Sequence, residues 1–140
     1  MNAIEVSETY LYTKLIAAAG LTALVSTRIY ADEAPQGTAL PYVVFQPFTP
    51  ADHMLGGGDY IQMTTADYLV KAVTEARGKA SVNAIMTQIT TALHDQQGTV
   101  GALTVDSVEV GILPLPSVES GKQYKTLAGR YRIFIRPELA

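Results

Sequence analysis

The sequence predicts an α+β fold, in which a mostly antiparallel β-sheet carries two α-helices on one face. Two stretches repeat apolar residues at helical spacing, one near the N-terminus and one in the middle of the chain. The segments between and after them are rich in β-branched and aromatic residues, which favour strands. Two helices cannot cover both faces of the predicted sheet well. The order α-β-β-β-α-β-β therefore favours a sheet with one open face.

Length and composition indicate one globular domain over residues 1–140. A chain of 140 residues with 48% hydrophobic and 16% charged residues can bury a core without disulfides or metals. The formal net charge of −3 lacks the basic excess typical of proteins that bind duplex DNA. The sequence contains no cysteine, which excludes zinc–thiolate sites. It has neither a signal-peptide pattern nor a membrane-spanning apolar run, so we expect a cytoplasmic product without a membrane partner.

The first half of the chain predicts a helix followed by a pair of strands. Ser7 is a suitable N-cap for a helix over about residues 7–19. Residues 28–30 and 42–46 are runs of β-formers, and the segment between them contains Asp, Gly and two prolines, which interrupt regular structure. Pro41 precedes the second run, where its missing N–H does no harm. We expect these two strands to pair across a stiff connection.

The same stretch resembles a known protein family. Arg28, Ile29 and Tyr30 are followed by Ala-Pro-Gln-Gly and then by Leu-Pro-Tyr-Val-Val. This order resembles the tail-completion proteins of long-tailed bacteriophages, which are also described as tail-terminator or head–tail joining proteins. The order and lengths of the later segments are similar too: a long strand ending in Glu-Ala-Arg, a second helix and a closing pair of strands.

The resemblance implies a structural virion protein located in the tail or neck and assembled in the host cytoplasm. Proteins of that family form a ring, usually a hexamer, on the head-proximal end of the tail tube. The ring stops tube growth and presents a docking surface to the head connector. The implied partners are further copies of the chain, the tail tube protein and the head-completion or connector protein, with DNA only as cargo passing through the lumen.

Two segments with glycine or proline and no periodicity of their own are predicted to be loops, residues 48–59 and residues 115–123. Loops of this kind commonly carry function, and we expect both to contact virion partners. Between them, residues 60–74 form the longest β-like run of the sequence. As one strand it would span roughly 50 Å, which is long for a compact domain. The run therefore bends, begins later, or projects toward a neighbouring subunit.

The second helix has an apolar stripe and an uncharged polar face. The stripe is made of Val82, Ile85, Met86, Ile89 and Leu93. The opposite face is made of Asn83, Thr87, Gln88 and Thr91. A solvated helix usually carries Lys/Glu pairs, so contact with another protein stays open beside plain solvent exposure. The residues expected to be buried between helices and sheet are Leu15, Val44, Ile85, Ile89, Ile133 and Ile135.

After this helix, residues 103–111 predict a strand that ends before Pro114 and Pro116, and residues 124–136 predict the last strand. In the last strand, Tyr131, Ile133 and Ile135 should face the core. The alternate positions hold Arg130, Arg132, Phe134 and Arg136. Three interpretations of the arginines stay open: a nucleic-acid platform, a subunit interface, or a solvated face paired with Glu109 and its neighbours across the sheet.

No pattern in the sequence predicts catalysis, a metal or a cofactor. His53 and His94 belong to no metal-binding spacing, and the three glycines at 56–58 lack the Lys-Ser/Thr ending of a phosphate-binding loop. We therefore expect a protein that is not an enzyme. The residues proposed to contact neighbouring subunits or virion partners are Asp52, His53, Gly57, Tyr60, Tyr68, Arg130, Arg132 and Arg136. The alternatives are a head-side connector or neck protein, or a small-ligand or nucleic-acid binding domain that uses the open sheet face.

Overall fold

The computed structural model describes residues 3–48, 53–55, 63–75, 80–101, 103–119 and 122–137. Within these residues the chain forms three helices and seven strands. They are α1 (Ala3–Ala17), α2 (Ala19–Val25), β1 (Ile29–Ala31), β2 (Tyr42–Pro47), β3 (His53–Leu55), β4 (Met63–Glu75), α3 (Ala80–Leu93), β5 (Gln96–Val100), β6 (Leu103–Glu119) and β7 (Lys122–Pro137).

The strands form one sheet with the order β1-β2-β4-β7-β6-β5, and β3 pairs with β4 off this path. The β1–β2 pair is parallel and the other described pairs are antiparallel. Helices α1 and α3 contact the central strands β4 and β7, while α2 packs against both of these helices. The predicted α+β class and the mostly antiparallel sheet are confirmed, and α2 adds a third helix.

Helix α1 starts earlier than predicted. It already includes Ala3, and Ser7 is buried inside the helix instead of capping it. The cause is Val6, which is buried together with Tyr10 and so extends the apolar stripe by one turn toward the N-terminus. The interruption between α1 and α2 falls at Ala18, whose backbone is extended.

The predicted pairing of the first two strands is confirmed, in a parallel arrangement with Ile29 opposite Val43. A hydrogen bond stabilises the connection at the start of β2: the Nε atom of Arg28 donates to the carbonyl oxygen of Pro41 at 2.8 Å. The backbone N–H of Val43 donates to the carbonyl oxygen of Arg28 at 2.9 Å. Arg28 therefore stabilises the connection between β1 and β2.

The core lies between the helices and one face of the sheet. It contains the whole predicted stripe of α3 and five of the six core residues expected from the sequence. Val44 is the exception: it is buried, but Val43 and Phe45 are the β2 residues that join the helix-side cluster. Because side chains alternate along a strand, Val44 lies on the sheet face away from the helices, called the outer face below.

The second half of the chain has more strand than predicted. β6 does not stop at Pro114 but continues to Glu119 and pairs with β7 as far as Lys122, so most of the predicted loop 115–123 is a hairpin. With 17 residues in β6 and 16 in β7, both strands are longer than the 13-residue β4. Prolines are tolerated because, among the described strands, β5 borders β6 only up to Ser107, which leaves an open edge beyond it.

Two smaller features complete the fold. Gln96, Gln97 and Gly98, which follow α3, begin β5. The predicted loop 48–59 contains the short strand β3, and residues 49–52 and 56–59 of that loop lie outside the described residues.

Candidate functional site

The predicted row of arginines lies on the outer face, where two of its members share one carboxylate. Asp67 stands opposite Arg132 in the β4–β7 register. The Nε atom of Arg132 donates to Oδ1 of Asp67 at 2.9 Å, and the Nη2 atom of Arg130 donates to Oδ2 at 2.5 Å. Asp67 is only 7% exposed. These three side chains, together with Phe48, are called the arginine cluster below.

Phe48 completes the arginine cluster. The guanidinium carbon of Arg130 lies 4.7 Å from the centre of the Phe48 ring, within cation–π range. The backbone N–H of Phe48 donates to the carbonyl oxygen of Asp67 at 2.9 Å. Burial raises the pKa of the Asp67 carboxyl, but the hydrogen bonds and charges of Arg132 and Arg130 outweigh it, so this pKa lies below its usual value.

Glu109 does not pair with the row of arginines, whereas its β6 neighbour Asp106 does. Glu109 points to the helix side of the sheet, and the carboxylates that pair with the row are Asp67 and Asp106. The Arg136–Asp106 pair is 3.2 Å long, and both side chains are at least a third exposed. Asp67 was missed as a partner because it is a lone acid inside an apolar strand. An acid within such a run itself signals a buried basic partner, because an unpaired charge in a buried strand would be costly.

The other predicted contact residues fall into three groups. Tyr68 is fully buried in the core, and its hydroxyl donates to Oε2 of Glu8 at 3.3 Å, so its side chain offers no exposed surface in this chain. His53 lies in β3 opposite Thr65. Asp52, Gly57 and Tyr60 lie outside the described residues. Whether the part-exposed arginines contact a neighbouring subunit stays a prediction.

A second polar cluster, which the sequence did not predict, lies on the helix side of the sheet. The hydroxyl groups of Tyr131 and Thr90 are hydrogen-bonded at 2.9 Å, and Thr90 Oγ1 donates to Oε1 of Glu109 at 3.1 Å. Burial raises the pKa of the Tyr131 hydroxyl, so this group stays protonated. The backbone N–H of Glu109 donates to Nδ1 of His94 at 3.1 Å, which ties the end of α3 to β6.

This cluster opens into a surface groove between α3 and β6. The groove has a volume of about 360 Å³. It is lined by Asn83, Met86, Thr87, Thr90, Thr91, Glu109, Ile112 and Leu127, and is called the β6 groove below. Three of these residues belong to the uncharged α3 face noted in the sequence. The fourth residue of that face, Gln88, instead packs against Gly20 of α2, where any added β-carbon would collide with its side chain.

The described residues contain no arrangement suited to metal binding. Nowhere in them do three or more His, Cys, Asp or Glu side chains come together as potential ligands. None of the described helices is long and apolar enough to cross a membrane.

Comparison with known proteins identifies the family. The family model described as Tail completion protein gp17 matches residues 9–112. Among solved structures, a chain from the virion of a native gene transfer agent particle is 23% identical, with a TM-score of 0.66 over 95% of this chain and 96% of that chain.

A second solved chain is 11% identical, with a TM-score of 0.68 over 100% of both chains. No curated protein sequence gives a significant match. At these identities the two structural matches establish a shared fold and nothing finer. The family model covers most of the chain, and the protein therefore belongs to the phage tail completion protein family.

Proposed function

We propose that the protein is a tail terminator. It forms a ring, a hexamer by the family pattern, on the head-proximal end of the tail tube. There it stops tube growth and provides the docking surface for the head connector. The single observation that carries this proposal is the tail-completion match over residues 9–112. The partners are other copies of the chain, the tail tube protein and the connector, with DNA as cargo in the lumen.

The shape of the sheet supports ring formation. A cyclic assembly with more than two subunits needs two different surfaces on each subunit that fit one another. The sheet ends at the short parallel strand β1 on one side and at the antiparallel strand β5 on the other. The chain thus offers two unlike sheet edges, as a heterologous contact requires.

The arginine cluster argues against the rival function of a nucleic-acid binding domain on the outer face. Arg130 and Arg132 are bound to Asp67, and Arg136 is paired with Asp106. A nucleic-acid platform needs uncompensated positive charge, and here the carboxylates offset most of it. This supports a structural role for the row of arginines.

The direct test is the length of tails in particles that lack the protein. A terminator predicts tails of irregular, excessive length that fail to join heads, and normal tails when the wild-type gene is supplied again. Tails of normal length that still fail to join would indicate the alternative, a head-side connector or neck protein. Normal tails joined normally to heads would contradict both functions.

A further inference from the structure

We propose that the β6 groove binds an extended, basic segment of another virion protein. This segment adds as a strand to the open edge of β6 and places a lysine or arginine side chain against Glu109. The inference rests on the proposed function only in that the protein works inside a phage-like particle. It adds the chemistry of one partner and the site where that partner binds.

The edge of β6 is open over a short, well-defined stretch. Pairing with β5 ends at Ser107, and Pro114 has no N–H to donate, which leaves residues 108–113 without a neighbouring strand on the outer side among the described strands. Within this stretch the N–H of Glu109 already donates to Nδ1 of His94. Val110, Ile112 and Leu113 within this stretch are 47%, 46% and 42% exposed. Unpaired strand edges of this kind accept an added strand through main-chain hydrogen bonds.

The wall opposite this edge presents hydrogen-bond acceptors. The hydroxyl of Thr87 donates to the carbonyl oxygen of Asn83, and the hydroxyl of Thr91 donates to that of Thr87, both at 2.9 Å. Each hydroxyl has one proton, so what remains available to a ligand on both threonines is an acceptor lone pair. The groove therefore favours a ligand that brings donors.

Glu109 adds a negative charge with free bonding capacity. Its Oε1 atom accepts from Thr90 at 3.1 Å, which holds the carboxylate in place. Its Oε2 atom has no hydrogen bond within the described residues. Among the described residues, those that line the groove include no lysine or arginine. A carboxylate held beside acceptor hydroxyls matches an ammonium or guanidinium group, and such charge-assisted hydrogen bonds are the strong ones.

A different protein suits this site better than a second copy of the chain. The arginines of the described residues are already engaged: Arg28 with the carbonyl oxygen of Pro41, Arg130 and Arg132 with Asp67, and Arg136 with Asp106. The lysines whose side chains are described, Lys14 in α1 and Lys71 in β4, lie in a helix and in a strand paired on both sides, so neither belongs to a free extended segment. The basic segment is therefore assigned to a partner protein.

Photo-cross-linking in intact particles tests this assignment. Ile112 is replaced by benzoylphenylalanine, and Leu24, a similarly exposed residue on α2, is replaced in the matched control. The Ile112 variant is expected to cross-link to another virion protein, at a peptide that mass spectrometry shows to contain lysine or arginine. The Leu24 variant should not give that peptide. A cross-link from Ile112 to a second copy, to a peptide without a basic residue, or to no protein would overturn the proposal.

A charge swap then tests the role of Glu109. Glu109→Lys should lower the cross-link yield from Ile112 at least about tenfold, because a like charge then meets the basic segment. Changing the identified basic residue of the partner to glutamate should restore the yield. Unchanged yield in Glu109→Lys, or no recovery in the double variant, would contradict the role of Glu109.

Asn83→Lys provides a second probe in case Glu109→Lys disturbs the fold. The side chain of Asn83 lies at the exposed rim of the groove and takes no part in the Tyr131–Thr90–Glu109 network. This variant should lower the cross-link yield while its thermal unfolding matches the wild type, and an undiminished yield would contradict the proposal. Tail length in particles lacking the protein is scored separately, so a failed terminator function and a failed groove assignment give different results.

Discussion

The arginine cluster and the β6 groove lie on opposite faces of the same strand, β7, and use their charges in opposite ways. In the arginine cluster, both oxygens of Asp67 accept hydrogen bonds from guanidinium groups of the same chain. In the β6 groove, the carboxylate of Glu109 has one oxygen bound to Thr90 and the other without a hydrogen bond in the described residues. The arginine cluster is closed, because both oxygens of its carboxylate are bonded within the chain. The β6 groove is open, because one oxygen of its carboxylate is left for a partner.

This difference shows that the number of charges along a strand is a poor guide to a binding surface. The row of arginines is the more conspicuous pattern in the sequence, yet its charges are largely neutralised inside the chain. The face of α3 that borders the groove carries no charge, yet it forms one wall of the site with free acceptors. What matters for binding is which polar groups the chain leaves unsatisfied.

The largest effect is expected from Arg132→Glu, which breaks the closed cluster. A second carboxylate would face Asp67, but Arg132 is 41% exposed and Arg130 still bonds Asp67, so the chain should lose about 1–3 kcal/mol of unfolding free energy. The matched control is Arg136→Glu, whose more exposed pair with Asp106 predicts a loss below about 1 kcal/mol. Urea unfolding of both purified variants measures the difference, and equal losses would show that the cluster is an ordinary solvated surface.

The expected instability also changes how Arg132→Glu can be used. If Arg132 contacted only a neighbouring subunit, the Arg132→Glu variant would fold normally and lose only its ability to assemble. Because Arg132 is bonded to Asp67 in its own chain, a loss of assembly in this variant does not by itself indicate an interface.

A smaller effect follows from the pKa of Asp67, which lies below its usual value in the folded chain. The folded state then binds this proton less readily than the unfolded state. The cluster therefore stabilises the fold above the unfolded pKa of about 4 and loses this contribution as the pH falls through the folded value. Asp67→Asn should be clearly less stable than the wild type at pH 7, and the gap should narrow below about pH 4. Urea unfolding at each pH measures the difference in stability between the variant and the wild type, and a difference that does not change with pH would contradict this account.

The smallest effect is expected from Tyr131→Phe, which removes one hydroxyl from the network on the groove side. Thr90 keeps its bond to Glu109, so the loss should be about 1 kcal/mol, typical of one hydrogen bond. Thr87→Ala, which alters an exposed hydroxyl of the groove wall, is the control and should lie within about 0.5 kcal/mol of the wild type. Thermal unfolding of both variants is a sufficient measurement, and a loss for Tyr131→Phe as small as that of the control would place the hydroxyl outside the stabilising network.

The sequence predicted the features that depend on local periodicity. The α3 stripe, the alternation of Tyr131, Ile133 and Ile135, and the pairing of β1 with β2 all agree with the structure. Periodicity failed where a run was apolar throughout, since two adjacent valines in β2 carry no alternation that would assign Val44 to a face. It failed again at Pro114, because proline stops a central strand but is tolerated on an open edge.

The sites depended on long-range pairing, which the sequence did not reveal. Asp67 and Arg132 are 65 residues apart and meet only through the β4–β7 register. Glu109 was assigned to the arginine row by its place in β6, but this position faces the helices, and a register shift follows between Glu109 and Gly111. The uncharged face of α3 was recognised as a possible protein contact, while the acid beside it was not.

The most direct test of the contrast between closed and open clusters is amide hydrogen exchange in the free chain and in purified particles. Residues 108–113 of β6 are compared with residues 68–73 of β4, which are paired on both sides in the chain alone. We predict that exchange of the outward-facing amides in 108–113, apart from that of Glu109, which already donates to His94, slows at least about tenfold in particles. An added strand would protect these amides, while 68–73 are protected in both states. Equal exchange of 108–113 in the free chain and in particles would contradict the claim that a partner binds at the open cluster.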